Sequence, residues 1–308
     1  MTKKMTAMDW KDEQFAQEKA GRQADALVER MGLSYPIDPL RVAKEEYPLL
    51  RAGGRNFRDR FDGKLRYVAE KRCFVLMFNT KYDVEMRPGQ HHPRTRFSIA
   101  HELGHYFIEH HRDYLRNRRI PHASVNEFRS GALIEREADA FAASLLLPTR
   151  LVGPMVNQEI LSLEIIDSIA CRFETSRVST LIRAVQLSDF PCAVAGIRQG
   201  SVAWMFPSES LIRAGIYPNR RMLPDNAREP WDRCRMGVPG DSSDDGEVRD
   251  WFRTYDHEHL DGVYVREEYI SVPSMETLLV LLTLDESDIF QDDDDDDDDV
   301  SEDGDDDE

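Results

Sequence analysis

The chain of 308 residues has only 4 cysteines, Cys73, Cys171, Cys192 and Cys234, and no two of them form a CxxC pair. Their wide spacing argues against a disulfide framework and against a cysteine-based zinc knuckle. Long hydrophobic runs are missing too. No apolar stretch approaches the roughly 18 residues needed to span a bilayer, and Met1–Trp10 lacks the apolar centre of a signal peptide. These absences predict a protein of the reducing cytoplasm that does not engage a membrane. Basic residues are absent from one region, Asp285–Glu308, which holds 17 Asp and Glu. With that segment set aside, 41 of the 58 acids remain against 40 bases, so the formal charge of −18 shrinks to −1. The body of the protein is nearly neutral. A generally basic nucleic-acid binder is disfavoured, and so is a halophile-like surface. The length suggests about two domains.

What is present is mixed helix and strand. Residues 12–31 keep helical spacing through Phe15, Ala16, Ala20, Ala24, Leu27, Val28 and Met31, and Gly32 is a stop signal. A short helix is expected at Pro39–Glu46, and a strand pair at Leu65–Ala69 and Cys73–Phe78. Arg87–Pro93 reads as a loop. From Arg94 the period turns helical, with Phe97, Ala100, Leu103, Gly104 and Phe107 on one face and an expected end near His111. Arg112–Arg129 reads as a polar connection, and Gly131–Leu147 as a helix stopped by Pro148. Short helices are expected over 150–187. Residues 191–284 look β-rich, with strands at Ala193–Ile197, Ser201–Phe206, Gly262–Val265, Tyr269–Val272 and Leu278–Leu284, and a long polar loop at Pro218–Val248. The run Asp292–Asp299 cannot bury apolar surface and is expected to be disordered.

The informative motif is His101-Glu102-Leu103-Gly104-His105, an HExxH on an expected helix. Residues i and i+4 lie one above the other on a helix face, so both imidazoles can reach one Zn²⁺. Glu102 stands beside the first ligand, where it can take a proton from the attacking water and deliver it to the leaving amine. The competing reading is a solvated face with two ordinary histidines. The apolar flank argues against it.

A catalytic zinc needs a third protein ligand. His111 follows His105 by the six residues seen in metzincins, but Ile108 occupies the position where those proteins turn at glycine. Glu135 and Glu137 are the other candidates. Glu135 is favoured because it shares a helix face with Asp139. One carboxylate can then ligate the ion while the other accepts the free N–H of a ligand histidine. Glu137 points about 160° away from that line at 100° per residue and reads as a solvent-facing carboxylate. Tyr106 and the remaining histidines are open as oxyanion donors, with nothing in the spacing to select one.

Residues Arg96–Tyr106 and Glu135–Pro148 resemble the ImmA/IrrE family of metallopeptidases, within the gluzincin group. The second stretch is similar to the family signature E-x-E-A-x-x-F-A-x-x-L-L-x-P, and the likeness extends over roughly residues 20–190. The resemblance implies that His101, His105 and Glu135 are the zinc ligands and Glu102 the catalytic acid/base. It implies an α+β fold, with a helical zincin-like core and a small sheet over 1–150. It also implies cleavage of a protein regulator, a helix-turn-helix repressor, which relieves repression of transcription. Two features depart from the family pattern, the acidic tail and the Pro218–Val248 loop.

Ile160–Leu187 resembles a helix-turn-helix, with Phe173-Glu174-Thr175-Ser176 at the turn. Four acids against three bases between Glu159 and Leu187 speak against DNA contact. The segment 151–190 is therefore expected to pack on the peptidase core. Residues 191–284 are expected to form a β-rich domain for sensing, docking or structure, and 285–308 a solubilising or nucleic-acid-mimicking tail. The competing function is a non-catalytic DNA- or protein-binding regulator that keeps the zinc fold as scaffold.

Overall fold

The computed structural model describes residues 7–118, 122–124, 133–219, 223–254 and 262–289. It is a mixed α+β protein whose described residues fall into two compact units, divided between Asp189 and Phe190. The acidic run Asp292–Asp299 lies outside the described residues.

The first unit begins with α1 (Ala7–Arg30) and α2 (Pro39–Glu45). Asp38 caps α2 by accepting from Leu40 N–H, and Pro39 takes the first helical position, where a missing N–H costs nothing. Three strands follow, β1 (Leu50–Arg55), β2 (Gly63–Val68) and β3 (Cys73–Asn79). Then come α3 (Pro93–Phe107), α4 (Glu109–Arg118), β4 (His122–Ser124) and α5 (Leu133–Leu146). The unit closes with α6 (Thr149–Val156), α7 (Leu163–Phe173) and α8 (Arg177–Leu187).

The sheet runs β1-β3-β2-β4, with β1 parallel to β3 and the other pairs antiparallel. β1 was not legible in the sequence. Of Leu-Arg-Ala-Gly-Gly-Arg only Leu50 is buried, so the strand carries neither alternation nor apolar content. It forms because β3, with Phe74, Leu76 and Phe78 buried, offers it an edge. Helix α5 packs between α1 and α3. Leu27, Val28, Ile99, Leu103, Phe141 and Leu145 form the seam, each nearly or fully excluded from water.

Two expectations about α3 and its sequel are corrected. The helix does not run to His111. It ends at Phe107, and Ile108 takes an extended conformation before α4 starts at Glu109. Ile108 is itself buried in the core, so burial of its side chain accompanies the break. The supposed polar connection Arg112–Arg129 contains most of α4 and the strand β4.

α7 and α8 meet at a three-residue turn in which Glu174 adopts the left-handed conformation. Each helix is capped by a serine, Ser162 and Ser176, accepting from the backbone. Of the three bases here, Arg172 is exposed and the other two are engaged within the protein. Arg177 pairs with Asp167 at 2.6 Å, and Arg183 reaches Leu147 O and Thr149 Oγ1 with Asp25 beside it. From α3, buried Arg96 donates to Ile37 O at 2.8 Å and to Phe173 O at 3.3 Å, and pairs with Glu174.

The second unit contains β5 (Cys192–Arg198), β6 (Ser201–Pro207), α9 (Glu209–Arg213) and β7 (Ile216–Pro218). It continues with α10 (Arg228–Arg235), β8 (Asp241–Glu247), α11 (Val248–Trp251) and β9 (Phe252–Thr254). The last strands are β10 (Tyr264–Val272) and β11 (Thr277–Thr283). An antiparallel sheet runs β6-β5-β11-β10-β8, with a separate β7–β9 pair. The central strand β11 is buried along its whole length, as an unbroken Thr-Leu-Leu-Val-Leu-Leu-Thr run requires. The two strands expected at Gly262–Val265 and Tyr269–Val272 are one strand, β10.

The Pro218–Val248 segment is not one long loop, since it contains α10 and the edge strand β8. The β8 sequence Asp-Ser-Ser-Asp-Asp-Gly-Glu has low strand propensity and, among the described residues, pairs only with β10. Its charges suit an edge that must not recruit another chain. At the centre of the unit, Glu267 is fully buried and accepts from Trp251 Nε1 at 2.6 Å and from the Tyr269 hydroxyl.

Candidate metal centre

The site is built where α3 meets α5. The start of α3 is fixed by Asp83, which accepts from His92 N–H at 2.9 Å and from Thr95 Oγ1 at 2.7 Å, with His91 Nδ1 also 2.7 Å away. His92 in turn caps the helix by accepting from Arg94 N–H. Asp62, immediately before β2, receives Arg94 at 2.9 Å and the Tyr82 hydroxyl at 3.3 Å. That link ties the residue preceding β2 to the first turn of α3.

Nine consecutive residues of α3, from Ser98 to Tyr106, are buried, and they include the whole HExxH. His101 and His105 are 2% and 1% exposed. Their Nε2 atoms face each other at 3.1 Å. Two nitrogens bound tetrahedrally to one zinc at 2.0–2.1 Å would stand about 3.3 Å apart, so the observed separation suits a shared cation. Gly104, one turn along from Ala100, lets α5 approach. A Cβ there would lie 3.1 Å from Ala138 Cα and 3.2 Å from Phe141 Cβ.

That close approach delivers the first turn of α5. Glu135 Oε2 lies 3.3 Å from His101 Nε2, and Oε1 lies 3.7 Å from His105 Nε2. His101, His105 and Glu135 thus form a group that could hold a metal ion. One turn further along α5, Asp139 Oδ1 stands 2.8 Å from His101 Nδ1. Two imidazoles and one carboxylate are the donors a borderline divalent cation such as zinc takes, and the residues present fit one.

Electrostatics at His101 are dominated by its neighbours. Burial works against a charge on the ring, but hydrogen bonds to Asp139 and Glu135, with Glu102 close by, push its pKa up to about 10. Without a bound cation the ring carries both protons. A metal ion would take the place of the Nε2 proton.

Glu102 is fully buried. It lies against Gly63 at the start of β2, where an added Cβ would come within 2.6 Å of its Oε1. Strand β2 therefore roofs the carboxylate. Tyr106 points elsewhere. Its hydroxyl donates to Glu46 at 2.9 Å, and burial together with that carboxylate raises its pKa to about 12.

Two residues stand otherwise than the sequence suggested. Glu137 does not face solvent: it is 6% exposed, and its Oε2 lies 3.1 Å from His110 Nε2 and from His111 Nε2. The break at Ile108 does turn the chain and carries His111 back toward the histidines of α3. It arrives at the opposite edge of His105, Nδ1 to Nδ1 at 3.1 Å, away from the Nε2 atoms where a third ligand would sit. Burial depresses the His111 pKa to about 4 despite its bond to Glu137, so the ring is neutral. The two adjacent histidines of α4 and the second glutamate of Glu135-Arg136-Glu137 were the signals available, but only their packing links them.

Among the described residues no helix is long and apolar enough to cross a membrane. Comparison with curated proteins gives no match. Among solved structures, a Mycobacterium tuberculosis transcriptional regulator is similar, with a TM-score of 0.55 at 13% identity over 87% of this chain and 76% of that one. At that identity the likeness is one of fold. Residues 65–185, which carry every residue of the candidate centre, match the IrrE N-terminal-like domain of the peptidase M78 family. The two stretches that resemble the ImmA/IrrE family, Arg96–Tyr106 and Glu135–Pro148, both lie inside this matched domain.

Proposed function

We propose that this chain is a zinc-dependent endopeptidase of the cytoplasm that hydrolyses a peptide bond in a protein regulator. The observation that carries the reading is the convergence of His101 Nε2, His105 Nε2 and the Glu135 carboxylate from two helices, with buried Glu102 next to the first ligand. His101, His105 and Glu135 would hold the ion, and Asp139 would orient His101 through Nδ1. Bound zinc would supply Lewis acidity to the scissile carbonyl and make water a better acid. Glu102 takes the proton of the attacking water and returns it to the leaving nitrogen. Its burial under β2 keeps bulk water from competing for that proton.

A helix-turn-helix repressor is the substrate expected from the resemblance of the two signature stretches. The test is Glu102→Gln. The variant should retain one zinc per chain and lose cleavage of the natural substrate. Undiminished cleavage would remove Glu102 from the mechanism.

A second reading is a DNA-binding regulator that retains the fold, favoured by the two-helix turn of α7 and α8. Against it, Arg177 and Arg183 on α8 are engaged within the protein rather than free for phosphates. A gel shift at low salt separates the two readings: salt-sensitive DNA binding without proteolysis would favour the regulator.

A further inference from the structure

We propose that His111 and Glu137 are positioning residues that hold His105 in the one tautomer able to bind a metal ion. The inference rests on the metal centre proposed above. It follows from counting the protons in a row of three side chains.

His105 directs Nε2 at His101 and Glu135, and Nδ1 at His111. Only one proton can lie between the two Nδ1 atoms, 3.1 Å apart. For His105 Nε2 to offer its lone pair to a cation, the ring proton must sit on Nδ1. His105 then donates and His111 Nδ1 accepts. A neutral His111 carries its single proton on Nε2, and Glu137 Oε2 is 3.1 Å from that atom, ready to accept it. Every donor in the row from His105 through His111 to Glu137 has its acceptor. A buried carboxylate at the far end raises the basicity of the ligand, as carboxylates commonly do for metal-bound histidines. Here a second imidazole is interposed.

The same residues invite another assignment. His110 Nε2, His111 Nε2 and a Glu137 oxygen are close enough together to hold a cation of their own. That site would need the lone pair of His111 Nε2, which places the His111 proton on Nδ1, directed at His105. His105 would then accept on Nδ1 and carry its proton on Nε2, in the middle of the first group. With neutral histidines the two sites exclude each other. The group containing His110, whose side chain is 60% exposed, is the more open of the two. His101, His105 and Glu135 are all buried or nearly so.

The test is zinc stoichiometry and affinity of the full chain, measured by competition with a chromophoric chelator. Cobalt(II) absorption gives a second readout of the ligand field. The wild type should bind one ion. His111→Phe removes the acceptor and should weaken binding on the order of 10–100-fold while shifting the cobalt spectrum. His111→Gln keeps an acceptor oxygen and should recover most of the loss. Glu137→Leu should weaken binding as His111→Phe does. Melting of each metal-free variant separates lost folding from lost affinity. Wild-type affinity in both His111→Phe and Glu137→Leu would overturn the positioning role and leave the metal centre standing. Two ions in the wild type, one of them lost in His110→Ala, would overturn it in favour of the second site. A wild type that binds no zinc or cobalt would sink the metal centre and this inference together.

Discussion

Gly63 lies so close to Glu102 that a single methyl group at position 63 would stand 2.6 Å from Oε1 and 2.8 Å from Cγ of the glutamate. The obstacle is the flexible end of a side chain, so the fold can accommodate alanine there by displacing the carboxylate. Gly63→Ala should therefore keep its zinc and most of its stability while losing activity, on the order of 10–100-fold, the scale of a misplaced catalytic group. Cleavage rate and zinc content measured on the same preparation decide it. Full activity would show that Glu102 has room to work from another rotamer.

Gly104 poses the opposite case. Its would-be Cβ meets the backbone of Ala138, which cannot swing aside. Gly104→Ala should push α5 from α3 at a cost of about 1–3 kcal/mol, typical of overpacking. Because α5 carries Glu135, zinc affinity should fall alongside the melting temperature. Loss of stability with unchanged affinity would mean that Glu135 follows the histidines rather than the helix.

Asp139 Oδ1 stands 2.8 Å from His101 Nδ1, on the side of the ring away from Glu135. Asp139→Ala removes the acceptor for the Nδ1 proton and should weaken zinc binding on the order of 10–100-fold. Asp139→Asn, which keeps an acceptor oxygen without the charge, should lose less. Equal losses would assign the effect to charge alone. Chelator competition at constant ionic strength gives the comparison.

In the second unit, burial holds the Glu267 carboxyl above its ordinary pKa of 4.5, against the hydrogen bonds from Tyr269 and Trp251 that favour its charge. Below 4.5 the folded and unfolded chains are both protonated there. Between 4.5 and the raised value the folded chain keeps a proton that the unfolded chain releases, so stability falls as pH rises through that window. Glu267→Gln cannot ionise. The stability of the wild type minus that of Glu267→Gln should decline across the window, read from denaturant melts followed by tryptophan fluorescence. A constant difference would mean that Glu267 ionises in the fold as freely as in the unfolded chain.

How much of this was legible beforehand depends on whether the information is local. His101 and His105 are related by one helical turn, as are Glu135 and Asp139, so both pairs can be read from spacing alone. The structure brings the two pairs together. Gly104 reads only as an apolar-face residue, although it sets the distance between the helices. The contacts of His111 with His105 and Glu137 were not legible because they depend on where α3 stops. Ile108 gives no stop signal in the sequence, yet its backbone is extended and its side chain is buried in the core. In the second unit, the leucine-rich β11 announces itself. The acidic β8 does not, since its strand conformation is imposed by pairing with β10.

Arg96 has a consequence for anyone who shortens this protein. Five residues before His101, it holds the carbonyls of Ile37 and Phe173 and the carboxylate of Glu174. The helix that bears the histidines is thus anchored by backbone atoms nearly eighty positions downstream. A fragment ending after the second signature, near Pro148, would keep His101, His105 and Glu135 but leave Arg96 with Ile37 O alone, without Phe173 O and the Glu174 carboxylate. The smallest piece worth expressing runs through α8, and a partner that grips the α7–α8 turn has a mechanical handle on the helix that carries His101 and His105.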